Sequence, residues 1–220
     1  MKVVVRQAVF SFFFSSFVVV TFFSFFFFAE AYYLANFQGL ERFQYKQFLA
    51  LPRTERELKR VVEESRRRDE KARIRAVSRN THSWTSFFWC ARSSEEGSRY
   101  SVNVFVNELR SSVFGEGEDA LLRFKVSENG RYVISDAGTL TRDLLEFLSK
   151  RGLTVKAVPW FIDQTVGGAV SSCSHGSSLK YSSMSNQVVA FRAMLSNATI
   201  VSIKKDEDKD AFDAFLCSIG

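Results

Sequence analysis

Residues 159–181 carry a run of small and hydroxyl side chains that constrains the fold more than any other feature of the chain. The run contains Gly167-Gly168, Ser171-Ser172 and His175-Gly176-Ser177. It offers little bulk to bury, but its glycines allow a backbone to approach a polar ligand closely, and its serines add hydroxyl donors. Buried-type residues flank it, Trp-Phe-Ile near its start and Val-Val-Ala-Phe after it. We therefore predict a shaped polar-ligand site rather than a flexible serine-rich linker.

The first thirty residues form a separate segment. Lys2 and Arg6 precede an uncharged, phenylalanine-rich stretch, and Ala29-Glu30-Ala31 has the small-x-small pattern of a cleavage site. This pattern predicts a signal peptide over residues 1–31. The apolar stretch also reaches the roughly 20 residues that span a bilayer, so the alternative is an uncleaved anchor, with membrane association through residues 1–29. Both alternatives place the rest of the chain in the secretory pathway, outside the cell or at the endoplasmic-reticulum membrane.

Charge and cysteine content limit the classes of partner. The net charge is +6, and basic residues concentrate between Arg53 and Arg79, but acidic residues are interleaved with them. This pattern is typical of a solvated helix face, so we expect no nucleic-acid partner. Cys90, Cys173 and Cys217 show no metal-ligand spacing, so no metal site is expected. Their odd number leaves at least one cysteine outside any intrachain disulfide, and the sequence does not indicate which.

The local patterns predict an α+β fold. Thr54-x-x-Glu57 is a capping box that predicts a helix over 54–68. Asn129-Gly130 is a strong hairpin-turn signal between two strands. Asn197-Ala198-Thr199, at another predicted turn, is a glycosylation sequon. The further predicted strands are 72–77, 101–106, 121–126, 131–135, 187–195 and 199–204, and the further predicted helices are 140–148 and 208–218. Hairpins mixed with isolated helices are typical of α+β domains.

Three motifs resemble those of one flavoprotein family. Asn36-Phe-Gln-Gly39, with Pro52 and the first helix, resembles its opening segment, and Thr81-His82-Ser83 resembles the end of its first phosphate loop. The stretch from Pro159 to Ser178 resembles its second flavin segment. Over residues 36–220 the chain is similar to the PCMH-type FAD-binding domain of the vanillyl-alcohol-oxidase superfamily, and within it to the sugar-1,4-lactone oxidases.

The resemblance implies FAD as cofactor. The first segment would present backbone N–H groups to the pyrophosphate, and the second would lie flat against the ribityl and isoalloxazine portions. The implied binding residues are Arg79, Asn80, Thr81, His82 and Ser83 in the first segment, and Gly167, Gly168, Ser171, Ser172, His175, Gly176 and Ser177 in the second. The resemblance gives His82 a covalent bond to the flavin ring; the alternative is an ordinary loop histidine that hydrogen-bonds the backbone.

The resemblance also implies domain organisation and activity. It predicts two α+β subdomains, at about 45–110 and 111–220, the second incomplete because the C-terminal cap domain of the family is missing. Catalytic residues are expected in that missing region, so the chain alone would be a truncated product. The implied reaction oxidises a small-molecule aldonolactone with O₂ to give H₂O₂ and an ascorbate-type product. The alternatives are an alditol or oligosaccharide oxidase of the same superfamily, or a non-catalytic FAD-binding fragment.

Overall fold

The computed structural model describes residues 33–35, 42–44, 48–78, 101–114 and 123–218. Within them the strands are β1 (Tyr33–Ala35), β2 (Arg42–Gln44), β3 (Phe48–Ala50), β4 (Arg73–Val77), β5 (Ser101–Phe105), β6 (Phe124–Val126), β7 (Val133–Ser135), β8 (Ala190–Met194) and β9 (Ile200–Lys204). The α-helices are α1 (Glu55–Arg68), α2 (Thr141–Ser149), α3 (Val166–Ser171) and α4 (Lys209–Phe215). Antiparallel hairpins, one small parallel sheet and separate helices occur together, which confirms the predicted α+β class.

The first half of the described chain builds a three-stranded parallel sheet in the order β3-β5-β4. Helix α1 connects β3 to β4, and β5 then inserts between them. The central strand β5 is buried on both faces, since Val102, Asn103 and Val104 are each at most 2% exposed. A parallel strand with both faces covered is expected to be largely apolar, and Asn103 is the exception.

Helix α1 begins as its capping box predicts. The Oγ1 of Thr54 accepts the N–H of Glu57 at 3.2 Å, and the Glu57 carboxylate accepts the N–H of Arg53 at 2.7 Å. The helix buries Val62 and Ser65, and it ends with three arginines in its last turn. Cations at this end favour the helix because they oppose its negative dipole end.

The second half contains two antiparallel hairpins with helices packed on them. The turn between β6 and β7 is made by Asn129-Gly130 as predicted, with Gly130 at φ +66. Helix α2 buries Leu144 and Leu148, and its Phe147 ring lies 5.1 Å from that of Phe124 on β6.

The hairpin of β8 and β9 carries an aromatic cluster with α4. The ring of Phe191 on β8 lies 5.2 Å from Phe212 and 5.1 Å from Phe215. Phe212 is fully buried, so this cluster is the apolar centre of the C-terminal part. Helix α4 begins at Asp208, whose carboxylate accepts the N–H of Ala211.

An ion pair connects the two halves. Arg192 on β8 donates from Nε and Nη2 to the two carboxylate oxygens of Glu55 in α1, both at 2.9 Å. The hydroxyls of Ser111 and Ser112 donate to the same carboxylate. The hydrogen bond from Arg192 is the largest cause that lowers the pKa of Glu55 to about 2. Two parallel charge-assisted bonds fix the orientation of β8 relative to α1.

One predicted strand begins later than expected. The sequence predicts a strand from Gln187, but β8 begins at Ala190, and Ser185–Gln187 form a single 3₁₀ turn. The reason is the Gln187 side chain, which accepts the N–H of Lys156 and donates to the carbonyl of Ala157, both at 2.8 Å. These bonds hold the chain in a turn before the strand can start.

The predicted signal sequence, residues 1–31, lies outside the described residues. Among the residues that the structure does describe, no helix combines the length and the apolar character that crossing a bilayer requires.

Candidate functional site

The small-residue run contains a short helix that the sequence analysis did not predict. Helix α3 is capped by Thr165, whose Oγ1 accepts the N–H of Gly168 at 3.1 Å. The N–H of Val166 donates to the Thr139 carbonyl and that of Gly167 to the Ala137 carbonyl, both at 2.8 Å. All three N–H groups of the first turn therefore have protein acceptors, and the start of α3 has no free donor for a ligand.

Protein packing requires a glycine at position 167. A Cβ at this position would lie 2.9 Å from the Ala137 Cβ and 3.0 Å from the Ala137 carbonyl oxygen, which is closer than real contacts allow. The predicted role of Gly167 was contact with a ligand, whereas the structure places it against the turn after β7. Gly168 differs, because a Cβ there would meet only the Thr165 hydroxyl, at 3.0 Å, and the residue is exposed.

Hydroxyl groups line the outer side of α3. The Ser172 hydroxyl donates to the Gly168 carbonyl at 2.8 Å and lies 2.9 Å from the Ser174 hydroxyl. Ser174 in turn donates to the Gln164 side chain at 3.2 Å. Ser172 is exposed and Ser171 half-buried. The predicted hydroxyl surface is therefore present, and its serines are oriented by one another.

A second group of donors follows the helix. The backbone N–H groups of His175, Gly176 and Ser177 have no acceptor within the part of the chain that the structure describes. His175 and Ser177 are exposed. A Cβ at Gly176 would come within 2.6 Å of the Val158 carbonyl oxygen, so glycine is required for this loop to pack. Successive unpaired N–H groups are the donors that bind the oxygen atoms of an anionic or polar ligand.

The His175 ring has a defined tautomer when it is neutral. Its Nδ1 lies 2.9 Å from the Gly176 carbonyl oxygen. A carbonyl only accepts hydrogen bonds, so Nδ1 carries the hydrogen and Nε2 remains an acceptor. The exposed edge of this ring can therefore accept a hydrogen bond from a ligand hydroxyl.

A hydrogen bond and a disulfide hold the second segment in place. Ser185 is fully buried, and its hydroxyl donates to the Val170 carbonyl at 2.6 Å. Cys173, at φ +53, forms a disulfide with Cys217 at the end of α4, with their Cα atoms 4.9 Å apart. The sequence left the pairing open, and the structure settles it for these two cysteines. Cys90 lies outside the described residues.

An ion pair between Arg123 and Asp136 stabilises the turn after β7, against which α3 packs. Arg123 donates from Nε to the Asp136 carboxylate at 3.4 Å. Its Nη1 and Nη2 donate to the carbonyls of Asn107 and Leu109. Burial raises the pKa of Asp136 and lowers that of Arg123. The Asp136 carboxylate also accepts the N–H of Ser111. Sequence reasoning missed this pair, because Arg123 lies just before β6 and Asp136 just after β7, and only the strand register of the hairpin brings them together.

The same turn joins α3 to the carboxyl end of the parallel sheet. A Cβ at Gly138 would overlap the carbonyl oxygen of Val106, the residue after β5. The N–H of Val106 donates at 3.1 Å to the carbonyl of Val77, the last residue of β4. A continuous line of contacts therefore runs from the end of β4 through Gly138 and Ala137 to Gly167.

The first predicted segment follows β4 in the chain. Its residues, Arg79, Asn80, Thr81, His82 and Ser83, lie outside the described residues, and their assignments stay predictions. All seven predicted residues of the second segment lie among the described residues, either in α3 or shortly after it.

Comparison with known proteins found a similarity to FAD binding domains. A family model described as an FAD binding domain matches residues 119–204. That range includes α2, α3, the donors after α3 and the hairpin of β8 and β9.

Curated relatives are lactone oxidases. The chain is 32% identical over 99 residues to a D-arabinono-1,4-lactone oxidase of Yarrowia lipolytica, a match that covers 44% of this chain and 19% of the relative. It is 30% identical over 96 residues to an L-gulonolactone oxidase of Mus musculus, covering 44% of this chain and 22% of the relative. These matches span about a fifth of the length of the curated relatives.

Solved structures share the fold. A cholesterol oxidase from B. sterolicum superposes with a TM-score of 0.61 at 18% identity, covering 80% of this chain and 32% of that chain. A 6-hydroxy-D-nicotine oxidase from Arthrobacter nicotinovorans gives a TM-score of 0.59 at 13% identity, covering 79% and 34%.

The residues of the second segment fit FAD. The cofactor carries a pyrophosphate, a ribityl chain of hydroxyls and a flat ring, and it needs donors for its oxygens and small side chains beside its ring. The N–H groups of residues 175–177, which have no acceptor among the described residues, can supply the donors. Lys180 and Lys156 lie 5.4 Å and 5.9 Å from the Tyr181 ring, so positive charge stands beside the segment.

Proposed function

We propose that the chain, which carries an FAD-binding domain over residues 119–204, is the cofactor-holding part of an FAD-dependent oxidoreductase that acts on a sugar lactone. The observation that carries the proposal is the line of contacts from the end of β4 to Gly167. These contacts tie α3 to the end of β4, and the predicted first segment follows β4 in the chain.

The second segment would bind the cofactor with its donors rather than with the start of α3. The N–H groups of His175, Gly176 and Ser177 are free to donate to cofactor oxygens, and the Ser172 hydroxyl lies on the same stretch of chain. The Nε2 of His175 can accept a hydrogen bond from a ribityl hydroxyl. Gly168 presents an exposed face with no side chain, on which a flat group can lie.

The first segment would form the opposite wall. Val77 ends β4 beside Val106, and Arg79 follows only two residues later in the chain. Because Arg79 follows the end of β4 so closely in the chain, we propose that the first segment faces the turn that holds α3. We assign pyrophosphate contacts to Arg79, Asn80, Thr81 and Ser83, and flavin attachment to His82.

The substrate class rests on the relatives. Both curated relatives described above are named as lactone oxidases, and their matches cover less than half of this chain. FAD, when bound, accepts a hydride equivalent from the substrate and passes the electrons to O₂, which yields H₂O₂. The residues described here bind and orient the cofactor, and we assign no described side chain to the substrate. The proposed substrate is an aldonolactone, with an ascorbate-type product.

The test is H₂O₂ release by the protein expressed from its own gene, with L-gulono-1,4-lactone, D-arabinono-1,4-lactone, an alditol and an oligosaccharide as candidate substrates. Turnover of a lactone, with none of the alditol or oligosaccharide, supports the proposal. Turnover of the alditol or oligosaccharide alone contradicts the substrate class. FAD binding with no turnover of any of them identifies a non-catalytic FAD-binding fragment instead.

A further inference from the structure

We propose that Asn197 is a site of N-linked glycosylation and that the chain acquires this glycan in the lumen of the secretory pathway. This proposal is independent of the flavin chemistry. It arises from the turn between β8 and β9, a feature that the cofactor site does not use.

The turn has the sequence and the exposure that the modification needs. Asn197, Ala198 and Thr199 form the sequon, and it is the only Asn-x-Ser/Thr triplet in the 220 residues. Asn197 and Thr199 are exposed, whereas Ala198 is buried at 4% exposure. The inward position of the middle residue therefore leaves both recognition residues of the sequon accessible.

The backbone of the turn brings the two recognition residues together. Leu195 donates its N–H to the Thr199 carbonyl at 2.8 Å, which closes the hairpin. The Oδ1 of Asn197 accepts the N–H of Thr199 at 3.0 Å. Within the described chain this arrangement engages the amide oxygen and leaves the Asn197 Nδ2 without an intrachain acceptor. Nδ2 is the atom to which a sugar is joined.

There is room beside Asn197 for a sugar. A groove of about 230 Å³ lies between α1 and the turn, and it is lined by Val62, Glu63, Arg66, Ser196, Asn197 and Ala198. The Arg66 Nε donates to the Ser196 carbonyl at 3.4 Å, so one wall of the groove is tied to the turn.

Two other features favour the compartment. The disulfide between Cys173 and Cys217 is the kind of bond that persists in oxidising compartments and is rare in the cytosol. Residues 1–31 have the basic start, apolar middle and small-x-small end of a secretory signal. The disulfide and the sequon lie in different parts of the C-terminal fold, and each favours a protein that folds in the lumen of the secretory pathway.

The chemical step is a glycosyl transfer from a lipid-pyrophosphate-linked oligosaccharide. A bond forms between the Asn197 Nδ2 and the anomeric carbon of the first sugar. The bond from that carbon to the pyrophosphate oxygen breaks, and the lipid pyrophosphate leaves with the electron pair. Nδ2 releases one proton, so the amide remains neutral.

The experiment is translation of residues 1–220 with endoplasmic-reticulum microsomes, followed by protease protection and digestion with an amidase that removes N-linked glycans. The expected result is one protected, higher-mass band that collapses on digestion and leaves aspartate at position 197. Asn197→Gln and Thr199→Ala should each lose the band entirely, whereas Thr199→Ser, which preserves the sequon, should keep it. A protected chain with no glycan would overturn the site. An unprotected chain with no glycan would overturn the lumenal entry on which the proposal depends.

Discussion

Gly167 donates its N–H to the carbonyl of Ala137 at 2.8 Å, and a Cβ at position 167 would lie 2.9 Å from the Ala137 Cβ. The two residues thereby fix α3 against the turn after β7. A side chain at 167 would have to move backbone atoms, because the nearest neighbours on that side are the Cβ, carbonyl carbon and oxygen of Ala137. The position of α3 against this turn therefore depends on the absence of a side chain at position 167.

We expect Gly167→Ala to destabilise the protein by roughly 1–3 kcal/mol, the usual cost of overpacking a tight contact. The matched control is Gly168→Ala in the same helix, where the added methyl meets only the Thr165 hydroxyl and the helix-propensity gain offsets that contact. Urea denaturation of both variants measures the difference. Equal stability of the two variants would contradict the packing role of Gly167.

The ion pair of Glu55 and Arg192 predicts a dependence of stability on pH. The folded-state pKa of Glu55 is about 2, below its ordinary value of 4.5, so the pair stabilises the fold above pH 4.5. This stabilisation is lost as the pH falls from 4.5 towards 2, because the carboxylate must then be protonated. Glu55→Gln should cost roughly 1–3 kcal/mol at pH 7 and progressively less on acidification.

The measurement is urea unfolding of wild type and Glu55→Gln between pH 2 and pH 7. Glu146→Gln is the control, because Glu146 pairs with Lys150 on the exposed face of α2, where solvent screens the interaction. A difference between wild type and Glu55→Gln that stays constant over this range would be inconsistent with the assigned pKa.

The disulfide of Cys173 and Cys217 predicts sensitivity to reductant. It closes a loop with a sequence separation of 44, and disulfides of this kind contribute roughly 2–4 kcal/mol. Dithiothreitol should therefore lower the stability of the wild type. The double variant Cys173→Ser/Cys217→Ser, which retains Cys90, should be less stable at the outset and unaffected by the reductant. An equal response of both proteins would exclude the assigned pairing.

Covalent attachment at His82 predicts that yellow colour remains with the acid-precipitated protein. The neutral imidazole of His82 would form the bond to the flavin ring, so His82→Ala should release all flavin to the supernatant. His175→Ala is the control: it removes the other histidine of the chain and one proposed hydrogen bond to the cofactor, but flavin bonded to His82 should still stay with the precipitate. Flavin that is released from the wild type as well would show that attachment does not occur.

Local signals in the sequence were sufficient for much of the fold. The Thr54 capping box and the Asn129-Gly130 turn act through hydrogen bonds and backbone angles within a few residues, and both occur as predicted. Helix α3 was not predicted, because Gly167 and Gly168 disfavour helix formation in isolation. It forms because Thr165 caps it and because the carbonyls of Ala137 and Thr139, distant in sequence, accept its first N–H groups.

The cofactor-binding role of the second segment stays a prediction, and the structure adds packing constraints on its residues that the sequence did not predict. Gly167 and Gly176 are small because Ala137 and Val158 lie against them, a constraint that is visible only in tertiary structure. The Arg123–Asp136 pair was missed for the same reason. The Ser172 hydroxyl donates to the Gly168 carbonyl, whereas the N–H groups of residues 175–177 have no acceptor among the described residues.

The central claim is that the segment after α3 holds FAD, and its most direct test is equilibrium dialysis against FAD of apoprotein produced under riboflavin limitation in a His82→Ala background, in which binding is reversible. Ser177→Trp places a large side chain beside the free N–H groups, and Ser202→Trp makes the same change on the exposed face of β9. Circular dichroism confirms that both variants are folded. We predict that Ser177→Trp raises the Kd at least about tenfold, a loss of about 1.4 kcal/mol, and that Ser202→Trp leaves it unchanged. Wild-type affinity in Ser177→Trp, or no FAD binding by the wild-type chain, would contradict the account.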